Sequence, residues 1–196
     1  MKATFFERLG SYLLDTIIIS LIFSLICLGF GNNTSNTEKL MQELDDKLLA
    51  KTITTEEYLE KYQDILYDYQ KENALESGIS VALTIAYFVV FQYMNKGQTI
   101  GKKILNIRVV DKNTQKPISI LKGLLRSFIV FSILSGTLSI LFLYIINENS
   151  YFIPYSILLF IEGIFTLITI MLVLYKKDGR GLHDIMANTI VIKESK

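Results

Sequence analysis

Residues Glu7 to Phe30 carry the sequence ERLGSYLLDTIIISLIFSLICLGF, and this run decides the fold. About 20 apolar residues in a helix, at about 1.5 Å rise each, are long enough to cross a bilayer core about 30 Å thick. The run nevertheless begins near Arg8 and carries Asp15, and helical spacing places both on one face with Ser11. A carboxylate inside a membrane helix is costly unless it finds a partner or water, so we expect Asp15 to serve packing or function.

The composition extends this conclusion to the whole chain. Its 196 residues are 51% hydrophobic with a mean hydropathy of +0.37, and the apolar residues fall into four separate runs. We therefore predict an all-α membrane protein, a single domain over residues 1–196, with transmembrane helices at about residues 9–30, 77–94, 121–146 and 152–175. Because Asp15 interrupts the first apolar run, we expect that run to be a retained span and not a cleaved signal peptide.

An acidic insert, residues 32–76, separates the first two spans. It holds eleven acidic residues against five lysines. Two capping-box patterns, Ser35 with Glu38 and Thr54 with Glu57, predict two amphipathic helices folded into an extracytoplasmic hairpin. The insert is either a solvated hairpin that closes on itself or a docking surface, and charge-laced helices are more typical of the first.

Two β-branched segments at opposite ends of the chain predict a short cytosolic β-ribbon. They are Ile104–Asp111 and Asn188–Lys193. A two-stranded pair is marginal on its own, so the ribbon must pack on another part of the protein.

The third and fourth spans carry polar residues of two kinds. A stripe of small residues in the third span is typical of close helix packing. The stripe comprises Ser132, Ser135, Gly136 and Ser139.

The fourth span contains Glu162, a second carboxylate within the membrane, with Thr166 and Thr169 on its face. The span follows a hinge at Asn147–Tyr151 and begins near Pro154.

The distribution of basic residues predicts the orientation. Fifteen of the 20 Lys and Arg lie in the N-terminal segment, in the connector after the second span with the flanks of the third, and in the C-terminal tail. By the positive-inside rule these segments are cytoplasmic, as are both termini, and the acidic insert lies outside. We expect a multi-pass protein of the plasma membrane.

Three segments together resemble the RDD family of small multi-pass membrane proteins. They are Arg8 with Asp15, the block GQTIGKKILNIRVVD after the second span, and GRGLHDIMANTIVI near the end of the chain. The family is named for one arginine and two aspartates, which fall here on Arg8, Asp15 and Asp184. The resemblance runs from Arg8 to Ile192 apart from the insert, which is longer than the family's usual first loop. It implies a membrane protein of largely uncharacterised type, for which transport is the customary suggestion and cation/proton exchange is reported for some members.

The charged residues near the cytosolic surface predict a cluster. Arg8 lies at the end of the first span, Asp15 about 10 Å deeper by helical rise, and Arg126 and Asp184 at a similar level. Because buried charges in lipid pair with one another, we expect two arginines and two aspartates to form a neutral cluster, with Glu162 as a further ionisable group. The cluster is either a clamp that fastens the C-terminal tail to the first and third spans, or a cation or proton site at Asp15.

No motif in the chain indicates an enzyme. Nucleophile-elbow, zinc-protease and phosphate-loop patterns are absent from the sequence. His183 precedes Asp184, but adjacent helical residues point about 100° apart and no third ligand is near in sequence. The single Cys27 excludes an intrachain disulfide. We expect no metal, no cofactor and no nucleic-acid partner.

Two functions remain open from the sequence. The first is an ion- or proton-coupled transporter with Asp15 and Glu162 as exchangeable carboxylates. Because four helices are few for a pore, such a transporter would act as a homo-oligomer in the lipid bilayer. The second is a non-transporting scaffold or regulator that binds another membrane protein. Glu162 facing the bundle together with Asp15 would favour transport, whereas Glu162 facing lipid or a partner would favour the scaffold or regulator.

Overall fold

The computed structural model describes residues 1–29, 34–130 and 132–194, without the side chains of Thr34, Ser35 and Ile129. The predicted end of the first span at Phe30 and the first two residues of the insert lie outside these ranges. The helices are α1 Phe5–Cys27, α2 Thr34–Leu49, α3 Thr55–Glu72, α4 Ala74–Met94, α5 Ile100–Ile104, α6 Ile120–Val130, α7 Ile133–Ile145, α8 Glu148–Tyr175 and α9 Leu182–Met186. The strands are β1 Ile107–Asp111 and β2 Thr189–Lys193.

The helices have the dimensions of membrane spans, which confirms the predicted fold class. By length and composition, three of the described helices can cross a bilayer: α1, α4 and α8. The pair α6 and α7, whose axes differ in direction by 69°, is the fourth if the two form one span. The exposed side chains of α1 and α8 are mostly apolar, as lipid contact requires.

The two strands pair as predicted, although the first begins at Ile107 and not at Ile104, which ends helix α5; together they define one end of the bundle, the sheet end. They are antiparallel, with Ile107 opposite Lys193 and Asp111 opposite Thr189, and Lys2 forms a bridge with Ile192. The ribbon is stable because it covers a small apolar core made of Ala3, Ile107, Val109, Ile118 and Val191. The N-terminal segment, the connector after α4 and the C-terminal tail therefore lie on the same side of the bundle.

The acidic insert forms the predicted helical hairpin. Thr54 and Glu57 make the expected capping box, and the Tyr58 hydroxyl donates to Asp45 across the hairpin at 2.8 Å. Helix α2 begins at Thr34, so Ser35 lies inside its first turn and not before it; the predicted capping by the Ser35 side chain lies outside the described part of the chain.

The hairpin also packs on the bundle, at what we name the hairpin end. Tyr67 is buried against Tyr151, and its hydroxyl donates to the carbonyl of Leu143 at 3.3 Å. Leu143 lies near the end of α7 and Tyr151 near the start of α8, so the insert contacts the turn between the last two spans. The hairpin is therefore part of the folded domain and not a separate appendage.

The third span differs from the continuous helix that the sequence predicts. Helix α6 ends at Val130, Ser132 adopts a left-handed φ of +54°, and α7 begins at Ile133. Both halves pack on α4 and α8, but α6 is fastened at the sheet end, where Lys122 pairs with Asp111, whereas α7 reaches the hairpin end. The broken pair thus connects the two ends, as a single span does. The hinge predicted at Asn147–Tyr151 is shorter than expected, since α8 begins at Glu148 and contains Pro154.

Candidate functional site

Asp15 lies at the centre of the first of two buried polar sites. Its side chain is fully buried and accepts three hydrogen bonds: from the Tyr87 hydroxyl at 2.7 Å, from the Gly101 backbone amide at 2.7 Å and from the Thr99 hydroxyl at 2.5 Å. The Lys102 ammonium lies 3.7 Å from the same carboxylate and forms an ion pair with it. Every lone-pair direction of the carboxylate is thus directed at a donor or a cation.

Local sequence explains this geometry. Thr99 has extended backbone and caps the short helix α5, which places its hydroxyl and the following amides around the carboxylate. Gly101 is required because a Cβ there would lie 2.4 Å from the carbonyl oxygen of Ser11. Tyr87 comes from a π-helical turn, Ala86–Phe91, within α4; such turns occur frequently at functional sites.

Lys102 is a buried cation that the sequence analysis did not select. Its Nζ donates to Thr99 at 3.1 Å, and its side chain is 9% exposed. Burial lowers the pKa of Lys102 to about 8, although the nearby Asp15 carboxylate opposes that shift. At neutral pH the side chain is therefore mostly charged. Nothing in the sequence distinguishes Lys102 from its exposed neighbour Lys103 except the cap at Thr99.

Asp184 lies at the centre of the second polar site. Its Oδ1 accepts from Arg126 at 2.8 Å and from Thr189 at 3.0 Å, and its Oδ2 accepts from Arg8 at 3.0 Å. The Nε2 of His183 lies 3.3 Å from Oδ2. Burial alone would raise the pKa of Asp184, but the positive charge of Arg126 and the contacts with His183 and Arg8 outweigh it, and the pKa lies well below its usual range.

The predicted charge cluster is therefore divided. Arg8, Arg126 and Asp184 meet as the sequence suggests, and they join α1, α6 and the C-terminal tail. Asp15 is paired with Lys102 and not with Arg8. The geometry at Asp184 has the form of a clamp, while whether either carboxylate also exchanges an ion stays a prediction.

Glu162 faces the break in the third span. The Ser132 hydroxyl donates to its Oε1, and Ser132 is the left-handed residue at that break. The Oε2 atom is buried and has no hydrogen-bond partner among the described residues. Glu162 thus lies between α7 and α8 and is half-buried, in a groove that it shares with the exposed Leu159 and Leu167 and apart from both Asp15 and Asp184.

Three cavities follow one another along the bundle. The sheet-end cavity, of about 240 Å³, lies between α1 and α8 and is lined by Arg8, Lys102, Arg126, Thr166, Thr169 and His183 together with apolar residues. The central groove, of about 590 Å³, contains Glu162 and the small-residue stripe and shares Thr166 with the first. The hairpin-end groove, of about 440 Å³, is lined by Gln70, Glu76 and Ser80 and shares Ser132, Gly136 and Ser139 with the second. Polar side chains therefore extend from one end of the bundle to the other.

Comparison with known proteins identifies the family. The model of the RDD family matches residues 2–188, nearly the whole chain. No curated protein and no solved structure matches the sequence.

Proposed function

Because the chain belongs to the RDD family, we propose that this membrane protein is a small transporter that moves protons or cations through its three cavities. Glu162 is the exchangeable carboxylate in this proposal. The working form is a homo-oligomer in the plasma membrane, with both termini in the cytoplasm.

The position of Glu162 carries the proposal. One of its oxygens is buried without a partner in the part of the chain that the structure describes, and a carboxylate in that state is costly unless it binds a proton or a cation. It faces a broken helix, and broken helices at mid-membrane are the usual frame of ion and substrate sites in transporters. The cavities on either side of Glu162, each lined in part by polar side chains, give such an ion a route towards each end.

Asp15 has a different part in this proposal from the one expected from sequence. Three hydrogen bonds and an ion pair hold it, so exchange at Asp15 would require breaking the cap of α5. We assign Asp15 the role of holding α5 against α1. Glu162 needs no such rearrangement.

The charge at the sheet end favours a proton over a metal cation. Arg8, Lys102 and Arg126 all line the sheet-end cavity, and a metal cation entering it would meet three positive charges. A proton can instead pass along hydroxyls, water and a neutral imidazole. Burial lowers the pKa of His183, so its imidazole is neutral at pH 7.

An oligomer would close the central groove. Leu159 and Leu167, on its edges, are 45% and 65% exposed, so the groove opens on the lipid-facing surface. A Cβ added to Gly163 would meet nothing within 4 Å, which leaves room for a neighbouring helix. A second copy at this surface would exclude lipid from Glu162.

Proton flux in liposomes tests the proposal. Purified protein is reconstituted with a pH-sensitive dye inside, and a pH gradient is imposed with and without Na⁺ or K⁺. We expect the wild type to dissipate the gradient and Glu162→Gln to abolish flux while keeping the wild-type melting temperature. Glu148→Gln, an exposed acid at the start of the same helix, is the matched control and should transport normally.

Full flux in Glu162→Gln would refute the role of Glu162 but not transport itself. Wild-type liposomes that show no flux under any gradient would refute transport. The scaffold alternative would then remain, with the packed hairpin and the open central groove as its binding surfaces.

A further inference from the structure

The sheet-end cavity carries an excess of positive charge. Three cations line it, Arg8, Lys102 and Arg126, and the carboxylates within 4 Å of these cations in the described residues are Asp15 and Asp184. The cavity therefore has a net charge of about +1 when His183 is neutral. A net charge in a low-dielectric, partly buried site is costly unless a counter-ion occupies it.

Three polar atoms around this cavity have no partner among the described residues. They are Nε of Arg8, Oγ1 of Thr169 and Nδ1 of His183, all buried. The first is a donor, and the second can donate or accept. The third must be an acceptor, because Nε2 of the same ring faces the Asp184 carboxylate at 3.3 Å and carries the proton. A ligand that suits all three brings an anionic oxygen for the donors and a hydroxyl group for the imidazole.

The walls of the cavity are apolar and continue onto the membrane-facing surface. Leu9 and Tyr12 of α1 and Ile170 of α8 line it, and each is about 40% exposed. Helices α1 and α8 thus border an opening from the cavity to the lipid. A lipid could place its polar head group in the cavity while its acyl chains extend through this opening into the membrane. A free phosphate ester would contact only the polar atoms of the cavity and would leave its apolar walls uncovered.

We propose that the sheet-end cavity binds the head group of an anionic lipid that bears a free hydroxyl, a phosphate diester of the glycerol type. Arg8 and Thr169 donate to the phosphate oxygens, and His183 accepts from the head-group hydroxyl. The acyl chains leave between α1 and α8. The proposal does not depend on transport, since binding is measured without flux.

Binding is tested with the full-length protein in detergent. Native mass spectrometry counts retained lipid after addition of phosphatidylglycerol or phosphatidylcholine, and thermal melting follows stabilisation by each. We expect phosphatidylglycerol to be retained and to raise the melting temperature, and phosphatidylcholine to do neither. Glycerol phosphate, the soluble source of the same chemistry, should compete only at much higher concentration.

Two variants locate the site. Arg8→Gln removes one charge and one donor, and Thr169→Val removes one hydroxyl at nearly equal volume; each should weaken phosphatidylglycerol binding about tenfold. Arg108→Gln, in the ribbon and paired with Glu194, and Thr137→Val, bonded within α7, are the matched controls. If Arg8→Gln fails to fold, Thr169→Val decides alone.

The possible results separate clearly. Equal retention of the two lipids, or wild-type selectivity in Thr169→Val, overturns the proposal and leaves water as the occupant. If glycerol phosphate binds as tightly as phosphatidylglycerol, the lipid assignment is wrong and the ligand is a soluble phosphate ester.

Discussion

The Asp15 carboxylate accepts the backbone hydrogen of Gly101 at 2.7 Å, and the two residues are so close that no side chain fits between them. A Cβ on Gly101 would lie 2.8 Å from Oδ1 of Asp15 and 2.4 Å from the carbonyl oxygen of Ser11. Both neighbours belong to the rigid helix α1, so neither can move aside cheaply. The contact fixes the connector after α4 to the first span.

Gly101→Ala should therefore destabilise the protein strongly. The added methyl group must push α5 away from α1, which breaks the amide bond to Asp15 and weakens the Thr99 and Lys102 contacts. We expect a loss of about 3 kcal/mol, at the upper end of the usual range for overpacking. Thermal melting in detergent measures it.

Gly78→Ala is the control for this variant. A Cβ at Gly78, inside α4, meets nothing within 4 Å, so the substitution should be neutral or slightly stabilising through helix propensity. A melting temperature for Gly101→Ala equal to that of Gly78→Ala would contradict the close contact.

Asp184→Asn should unfold the sheet end of the bundle. The change leaves the buried guanidinium groups of Arg8 and Arg126 without a counter-charge, and breaking a buried pair in this way costs about 3–5 kcal/mol. Glu194→Gln, which affects a pair with Arg108 in which both side chains are about 30% exposed, should have a much smaller effect. The measurement is the melting temperature of each variant at pH 7.

Ionisation of Asp184 should make the stability of the protein depend on pH. The pKa of Asp184 is lower in the folded protein than its unfolded value of about 4, so the folded state binds fewer protons. Its stabilising contribution is complete above about pH 4 and is lost as the pH falls below it. Wild type and Asp184→Asn should differ in stability at pH 7 and converge in acid. A constant difference at all pH values would exclude an ionised Asp184.

Much of this architecture was predictable from the sequence. Apolar runs gave the spans, the capping box at Thr54 gave a helix start, and β-branched residues gave both strands of the ribbon. The arginine and aspartate positions indicated the Asp184 site, because Arg8, Arg126 and Asp184 lie at the same level. These are local or one-dimensional signals, and burial in the bundle does not reverse them.

The break in the third span was not predictable. Neither Pro nor Gly occurs between Ile120 and Ser132 apart from Gly123, so no local sequence signal marks the left-handed Ser132 at which the helix breaks. The choice of partner for Asp15 depends on tertiary structure. Lys102 reaches it only because the Thr99 cap turns α5 towards α1, which no spacing rule expresses.

Accessibility labelling tests which end of the bundle faces the cytoplasm. With Cys27, the single cysteine of the chain, replaced by Ala, new cysteines at Lys61 and Lys112 place one thiol at each end. We expect an impermeant maleimide to label Lys61→Cys on intact cells and Lys112→Cys only after permeabilisation. Labelling of both on intact cells would contradict the structure, and the reverse order would contradict the orientation.

Lys102 should make stability rise with pH in the alkaline range. Its pKa is about 8 in the folded protein and about 10.4 when unfolded, so between these values the unfolded state binds more protons. The cost of burying the charged ammonium is present below pH 8 and disappears as the pH rises to about 10, a gain of about 3 kcal/mol in the free energy of unfolding. Denaturation in detergent at pH 7 to 10 measures this gain, with Lys102→Gln and the exposed Lys103→Gln compared in parallel. Only Lys102→Gln should lose the rise, because Lys103 is exposed and its loss leaves the buried ammonium in place. A rise that persists in Lys102→Gln would show that another group causes it and that the ion pair with Asp15 holds Lys102 charged throughout.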